Sequence, residues 1–235
     1  SIISPQHGGT FIDCTFGGGG YSEAILKFPN TKVLAIDRDE CTKKHAENLI
    51  KKFPSRFSFF KDKFSNLDKI IDSNLNPKAV IFDLGLSSFQ LADHNRGFSF
   101  KSKKSLSMQM GINKYSADQV VNTLDSKVLG NIFKILGEEK EGKIIANKIV
   151  NYRRKKLIKT AEELSKIICS TKKQNKKFKT NPSTKAFQAI RSLVNEELSE
   201  LIQGLIAATK ILKKGGIIIV ITFQSLEDRI VKYFF

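Results

Sequence analysis

The 235-residue chain carries 40 Lys and Arg against 23 Asp and Glu, a formal charge of +17, and 40% of its residues are hydrophobic. That length can bury the core of one elaborated domain or of a domain carrying an insertion, and the charge favours a polyanionic partner. Three scattered cysteines, Cys14, Cys41 and Cys169, argue against a disulfide framework or a zinc site, and no run approaches the roughly twenty apolar residues of a membrane span, so a soluble protein of the reducing cytoplasm is expected.

The first ninety residues alternate short apolar runs, at 10–16, 32–37, 57–61 and 79–84, with helix-like segments at 21–28, 39–52 and 65–73. Strand-length runs rich in β-branched and aromatic residues, separated by helices, predict a parallel sheet built from βαβ units. The first run breaks into four glycines, residues 17 to 20, before a helix begins. Such a loop allows a tight turn and close backbone approach to a ligand, beside the unpaired N–H groups of the helix start. The second run closes on Asp37, eighteen residues beyond Gly19, where a carboxylate can accept both hydroxyls of a ribose. Ser22 stands where a dinucleotide-binding loop wants its third glycine, and the acidic Asp13 precedes the loop. Both features favour S-adenosylmethionine, which has no pyrophosphate to seat and whose amino acid moiety suits an acid at the first strand end. The remaining enzymatic alternative, a nicotinamide-dependent dehydrogenase, would need a catalytic His or Lys motif, and none stands out.

The fourth run ends in Asp83-Leu-Gly-Leu-Ser-Ser-Phe-Gln-Leu91. Ligands of open α/β sheets sit at the carboxyl ends of the strands, so Asp83 is expected at the cofactor crevice. The Asn/Asp/Ser-Pro-Pro-aromatic element usual in DNA amino-methyltransferases is absent there, which counts against that class. Beyond Gln90 the periodicity is helical until the run at 216–223, so a helical insertion between strands four and five is predicted. The division expected is residues 1–90 with 213–235 for the cofactor-binding domain and 91–212 for a basic, substrate-recognising insertion. Its last helix, over 183–212, carries Phe187, Ile190, Val194, Leu198, Leu201 and Leu205 as an amphipathic stripe. Residues 143–191 hold fifteen Lys and Arg and only two acids, Glu162 and Glu163, and the loop over 171–180 is expected to graze RNA. The histidines, His7, His45 and His94, lack ligand spacing, and no metal is assigned.

These blocks, in order, resemble the RsmH/MraW family of small-subunit ribosomal RNA cytosine-N4 methyltransferases. The resemblance rests on Asp13-Cys-Thr-Phe-Gly-Gly-Gly-Gly-Tyr-Ser22, Ile36-Asp-Arg-Asp39, the run from Asp83, Arg96-Gly-Phe-Ser-Phe100 and Leu106-Ser-Met-Gln-Met110. It continues through Gly137-Glu-Glu139, Asn181-Pro-Ser-Thr-Lys-Ala-Phe-Gln-Ala-Ile-Arg191, Asn195-Glu-Glu-Leu198 and Phe223-Gln-Ser-Leu-Glu-Asp-Arg229, so it spans nearly the whole chain. It implies a Rossmann-like class I methyltransferase sheet and transfer of a methyl group from S-adenosylmethionine to N4 of a cytidine in the decoding region of the small-subunit (16S) rRNA. By the same resemblance Gly19, Gly20 and Tyr21 line the methionine end of the cofactor and Asp37 binds ribose. Phe64 and Asp83 flank the adenine and the crevice, with Gln90 completing the set. On the chemistry of the reaction, Asp83 is the catalytic candidate, with Asp83 or a neighbouring carbonyl as acceptor for the amine. Lys185 and Arg191 are expected on RNA phosphates and Arg96 in an RNA-facing loop. The plain readings are solvated helix charges for Lys185 and Arg191, and for Arg96 a loop pinned through a carboxylate. Phe64 read alone is a core residue, and Ser225 to Asp228 read alone is a helix N-cap pattern.

Three positions depart from the family pattern. Tyr21 and Gln224 stand where the family has histidine, and Gln109 where it has arginine. The family's leading His-x-Pro-Val-Leu segment and arginine-rich tail are not in the sequence, so a fragment lacking an edge strand is expected. A non-catalytic RNA-binding or assembly relative that keeps the fold is the alternative, and it predicts salt-sensitive RNA affinity without methyl transfer. The expected partner is small-subunit rRNA or the assembled subunit, with a homodimer as a further assembly and no membrane.

Overall fold

A computed structural model describes residues 2–172 and 180–235. Five strands form one parallel sheet: β1 (Gly9–Asp13), β2 (Thr31–Asp37), β3 (Phe57–Lys61), β4 (Ala79–Asp83) and β5 (Ile217–Ile221), in the order β3-β2-β1-β4-β5. Between the first four strands run α1 (Gly20–Leu26), α2 (Lys43–Lys52) and α3 (Leu67–Ile70). Between β4 and β5 come α4 (Ser88–Ala92), α5 (Ala117–Thr123), α6 (Ser126–Leu136), α7 (Gly142–Arg153), α8 (Ala161–Cys169), α9 (Thr184–Asn195) and α10 (Glu197–Ile211), and α11 (Ser225–Phe234) follows β5. The Rossmann-like sheet with a helical insertion after its fourth strand is thus the architecture present. Among the described residues no helix is long and apolar enough to cross a membrane.

The chain divides into two compact units, Ser1–Ser87 with Leu198–Phe235, and Ser88–Glu197. In the first, Phe11, Ile12, Ala35, Ile36, Val80 and Phe82 are almost wholly buried, because a parallel sheet hides both faces. The register places Asp13 beside Ala35 and Ile81, so three neighbouring strands, β2, β1 and β4, all end on aspartate. Strand order reverses between β1 and β4, where the carboxyl ends leave a crevice.

The helix expected over 183–212 is two helices. Glu196 turns into the left-handed region at φ 55°, and its N–H donates to the Leu193 carbonyl, 3.2 Å. The side chain of the buried Asn195 supplies the reason. Its Nδ2 donates to the Met108 carbonyl (2.8 Å) and the Arg191 carbonyl (2.9 Å), and its Oδ1 accepts from Met110 N–H (2.9 Å). An asparagine whose amide competes for backbone groups at a helix end favours termination there. The predicted stripe therefore serves two cores. Phe187, Ile190 and Val194 are buried in the second unit, and Leu201 and Leu205 pack with Ile12, Val80 and Phe82 in the first. The boundary accordingly falls after Glu197, not at 212, because α10 covers the sheet.

Within the second unit, Gly137 lets α6 end against α9. A Cβ there would lie 2.4 Å from the Lys185 carbonyl and 2.9 Å from that of Phe133, both unyielding backbone atoms. Gly137→Ala is expected to destabilise the protein by about 1–3 kcal/mol through overpacking. Gly18→Ala, whose methyl would meet nothing within 4 Å, is expected to stay within about 0.5 kcal/mol. Chemical denaturation of both variants checks this, and equal midpoints would refute it.

Candidate active site

The glycine loop after β1 is shaped by two left-handed residues, Gly17 at φ 52° and Gly19 at φ 83°. A side chain at Gly19 would run into the Phe16 ring at 2.9 Å, whereas Gly18 and Gly20 face open space. The loop is thus packed on one side and bare on the other, as close approach of a ligand to backbone requires.

Each strand-end aspartate has a different assignment. Asp37 Oδ2 accepts the Gly17 N–H and its Oδ1 accepts the Asp39 N–H, both at 2.8 Å, so it holds the loop on one side. Burial raises its carboxyl to about 6, against the lowering effect of those two N–H groups. Lone pairs remain on both oxygens for further donors. Asp13 was expected to suit the ligand's amino acid end, but it is fully buried. Its Oδ2 accepts from Ser22 Oγ (2.7 Å) and its Oδ1 from Thr15 N–H (3.3 Å). Burial raises it, too, to about 6. Asp13 therefore braces the loop from beneath, and Ser22, the residue that replaced a glycine, is its partner.

Asp83 is only half-buried. Its N–H donates to Thr15 Oγ1 at 2.7 Å. Its Oδ1 is buried and has no hydrogen-bond partner among the described residues. Burial holds its carboxyl above the usual carboxylate value, with the neighbouring Tyr21 hydroxyl acting the other way. Thr15 was not singled out in the sequence. Its place two residues after Asp13, where β1 opens into the loop, was the available signal.

Phe64 opens a short 3-10 turn after β3, Phe64–Asn66. Its ring meets Phe82 edge-on at 5.4 Å, and a Cβ at Gly204 of α10 would lie 2.6 Å from it. One side of Phe64 is thus core, and the ring keeps partial exposure. Gln224 caps α11 only by position. Glu227 accepts the Phe223 N–H at 3.2 Å just ahead of the helix, and Ser225 is the first helical residue and not the cap.

The other expected site residues belong to the second unit. Gln90 is buried on α4. Arg96 donates to the Gln109 carbonyl at 2.6 Å and lies 5.2 Å from the Phe98 ring, so it pins its loop. Lys185 is exposed, with Nζ on the Glu138 carbonyl at 3.1 Å. Arg191 is engaged by Glu197 at 2.7 and 3.0 Å and largely shielded, so its guanidinium serves as an internal tie at the end of α9. Exposed cations that the sequence did not single out lie elsewhere: Lys143, Lys148, Arg154, Lys155 and Lys159, along and just beyond α7. This unit holds 23 of the 40 Lys and Arg and 10 of the 23 acids. Most of the expected RNA-grazing loop, 173–179, lies outside the described residues.

Residues 1–235 match the profile of the MraW methylase family. A relative from Ehrlichia canis (strain Jake), Ribosomal RNA small subunit methyltransferase H, is 45% identical over 237 residues, covering 100% of this chain and 80% of its own. Proteins of the same description from Wolbachia sp. subsp. Drosophila simulans (strain wRi) and Ehrlichia ruminantium (strain Welgevonden) are each 46% identical over 238 residues. They too cover 100% of this chain, with 81% and 79% of their own lengths.

Proposed function

The chain belongs to the MraW methylase family, and on that premise we propose that it methylates N4 of a cytidine in the decoding region of small-subunit (16S) ribosomal RNA, with S-adenosylmethionine as donor. The observation that carries this reading is the buried, unpartnered Oδ1 of Asp83 at the switch point of a sheet whose neighbouring strands also end on aspartate. The residues fit that donor. Gly20 faces open space, Asp37 retains acceptor capacity for ribose hydroxyls, and Phe64 offers a partly exposed ring for the adenine. Gly19 and Tyr21 would line the methionine end, and Gln90 would complete the set. When bound, S-adenosylmethionine supplies a methyl group activated by its sulfonium.

The protein's part is positioning and proton management. A cytosine amine is a poor nucleophile because its lone pair is delocalised into the ring, so holding it in line contributes most of the rate. The Asp83 carboxylate would accept the N4 hydrogen, and burial makes it more basic than an exposed one. The base must be presented unstacked. The basic second unit, through Lys185, Arg96 and the exposed cations near α7, would hold the flanking phosphates. Arg191 would act there by ordering the end of α9.

Incubation with isotopically labelled S-adenosylmethionine and small subunits lacking the modification, followed by mass spectrometry of digested rRNA, tests the proposal. Labelled N4-methylcytidine at one site is expected. RNA binding with no transferred label would overturn it in favour of the non-catalytic relative.

A further inference from the structure

A glycine inside a helix is less favourable than alanine, so its presence there points to a neighbour that needs the space. Gly204 stands midway along α10 and is buried. A Cβ built on it would lie 2.6 Å from Cδ2 and 2.9 Å from Cε2 of Phe64, and 3.2 Å from Cε1 of Phe82. The bare backbone of α10 is thus the seat for one edge of the Phe64 ring, which Phe82 also meets at 5.4 Å. Phe82 is wholly buried and Phe64 partly exposed, so of the two rings Phe64 is the one with room to yield.

The residue before Phe64 is held by the same helix. Lys63 Nζ lies 3.4 Å from Oε1 of Glu200, one turn ahead of Gly204, and their side chains are only 19% and 9% exposed. The turn that carries Phe64 is closed on itself. Asp62 Oδ1 accepts the Lys63 N–H at 2.7 Å and Asn66 Nδ2 at 2.9 Å, and the Asn66 N–H donates to the Lys63 carbonyl at 3.0 Å. With its backbone fixed in this way, where the Phe64 ring sits is decided by what lies beside it.

We propose that Gly204 and Glu200 are positioning residues for the cofactor, acting through Phe64. The glycine lets the ring sit back against α10, the ion pair with Lys63 holds the turn there, and the adenine packs on the ring so placed. This rests on the reading of Phe64 as the adenine contact. A methyl group at position 204 cannot displace the core ring of Phe82, so it drives Phe64 off its seat.

The test is calorimetric titration of the full chain with S-adenosylmethionine in Gly204→Ala, Phe64→Leu and the double variant. Gly137→Ala, overpacked in the second unit, is the control. Phe64→Leu is expected to bind about tenfold more weakly, within the scale of a base on an aromatic ring. Gly204→Ala is expected to lose about fivefold, and no more than about twofold when residue 64 is already leucine, the mark of two residues acting through one contact. In spectra of ring-labelled phenylalanine, the Phe64 signal, assigned by its absence from Phe64→Leu, is expected to shift in Gly204→Ala before cofactor is added. Equal losses in both backgrounds, an unmoved Phe64 signal, or a comparable loss in Gly137→Ala would overturn the proposal. So would unchanged affinity in Gly204→Ala beside weak binding by Phe64→Leu. Unchanged affinity in Phe64→Leu would refute the cofactor reading of Phe64 itself, and the proposal with it. Should Gly204→Ala not fold, Glu200→Gln keeps the shape of α10 and removes the ion pair. It is expected to lose about threefold in affinity with Phe64 present and nothing measurable without it, and the same loss in both backgrounds would again overturn the proposal.

Discussion

Asp83→Ala is expected to lower methyl transfer at saturating S-adenosylmethionine by about 10²–10⁴-fold, the range ascribed to a positioned acid or base. Removing the carboxylate leaves the amine without its proposed acceptor. The fold is not at risk. Asp83 is half-buried, and the Thr15 contact is made by its backbone N–H, which alanine retains. Because burial raises the folded-state carboxyl above its unfolded value, ionised Asp83 contributes no stability at neutral pH that alanine would forfeit. Stopped-time assays under saturating RNA and cofactor would measure the rate. Turnover within tenfold of the unaltered protein would remove Asp83 from the chemistry.

The second large effect is a pH dependence of cofactor affinity. Asp37 in the free protein has its carboxyl raised to about 6. Ribose hydroxyls donate to the ionised carboxylate, so bound cofactor favours the deprotonated form and binding releases a proton wherever the free protein holds one. Affinity is therefore expected to be flat above about pH 7 and to weaken by about tenfold for each unit below about 6. Calorimetry in buffers of different ionisation enthalpy reads both the affinity and the released proton. Asp37→Asn should bind weakly and without this slope, and a slope that survived in it would assign the proton elsewhere. The same shifts act on stability with a definite sign. Asp13 and Asp37 are raised above their unfolded values, so their share of stability is complete below about pH 4 and is lost as the pH rises through about 6. Bound cofactor offsets the Asp37 part.

Several elements were legible because their signals are local. The alternation of short apolar runs with helical segments announced a parallel sheet, and four glycines ahead of a helix announced a ligand loop. The carboxylates closing the second and fourth runs announced the crevice. What stayed hidden depended on which partner each polar group would find. Asp13 looked like a ligand contact and is a brace for Ser22 and Thr15. Arg191 looked like a phosphate contact and is an internal tie to Glu197. The helix over 183–212 was a fair extrapolation from its stripe, yet Asn195 and the left-handed Glu196 divide it between two cores.

The sequence by itself determined the class of fold, the place of the insertion, the concentration of positive charge in it and the three acids at strand ends. Each of these follows from spacing and composition, which act over a few residues. Only the tertiary structure decided which of the three acids is left with an unpartnered oxygen, which cations remain exposed, and where one unit stops and the other begins. The physical reason is that a buried polar group must find a partner, and its candidates come from strands and helices far apart in the chain. Thr15 meets Asp83 across 68 residues and Asn195 meets Met108 across 87, separations at which no local pattern carries the choice.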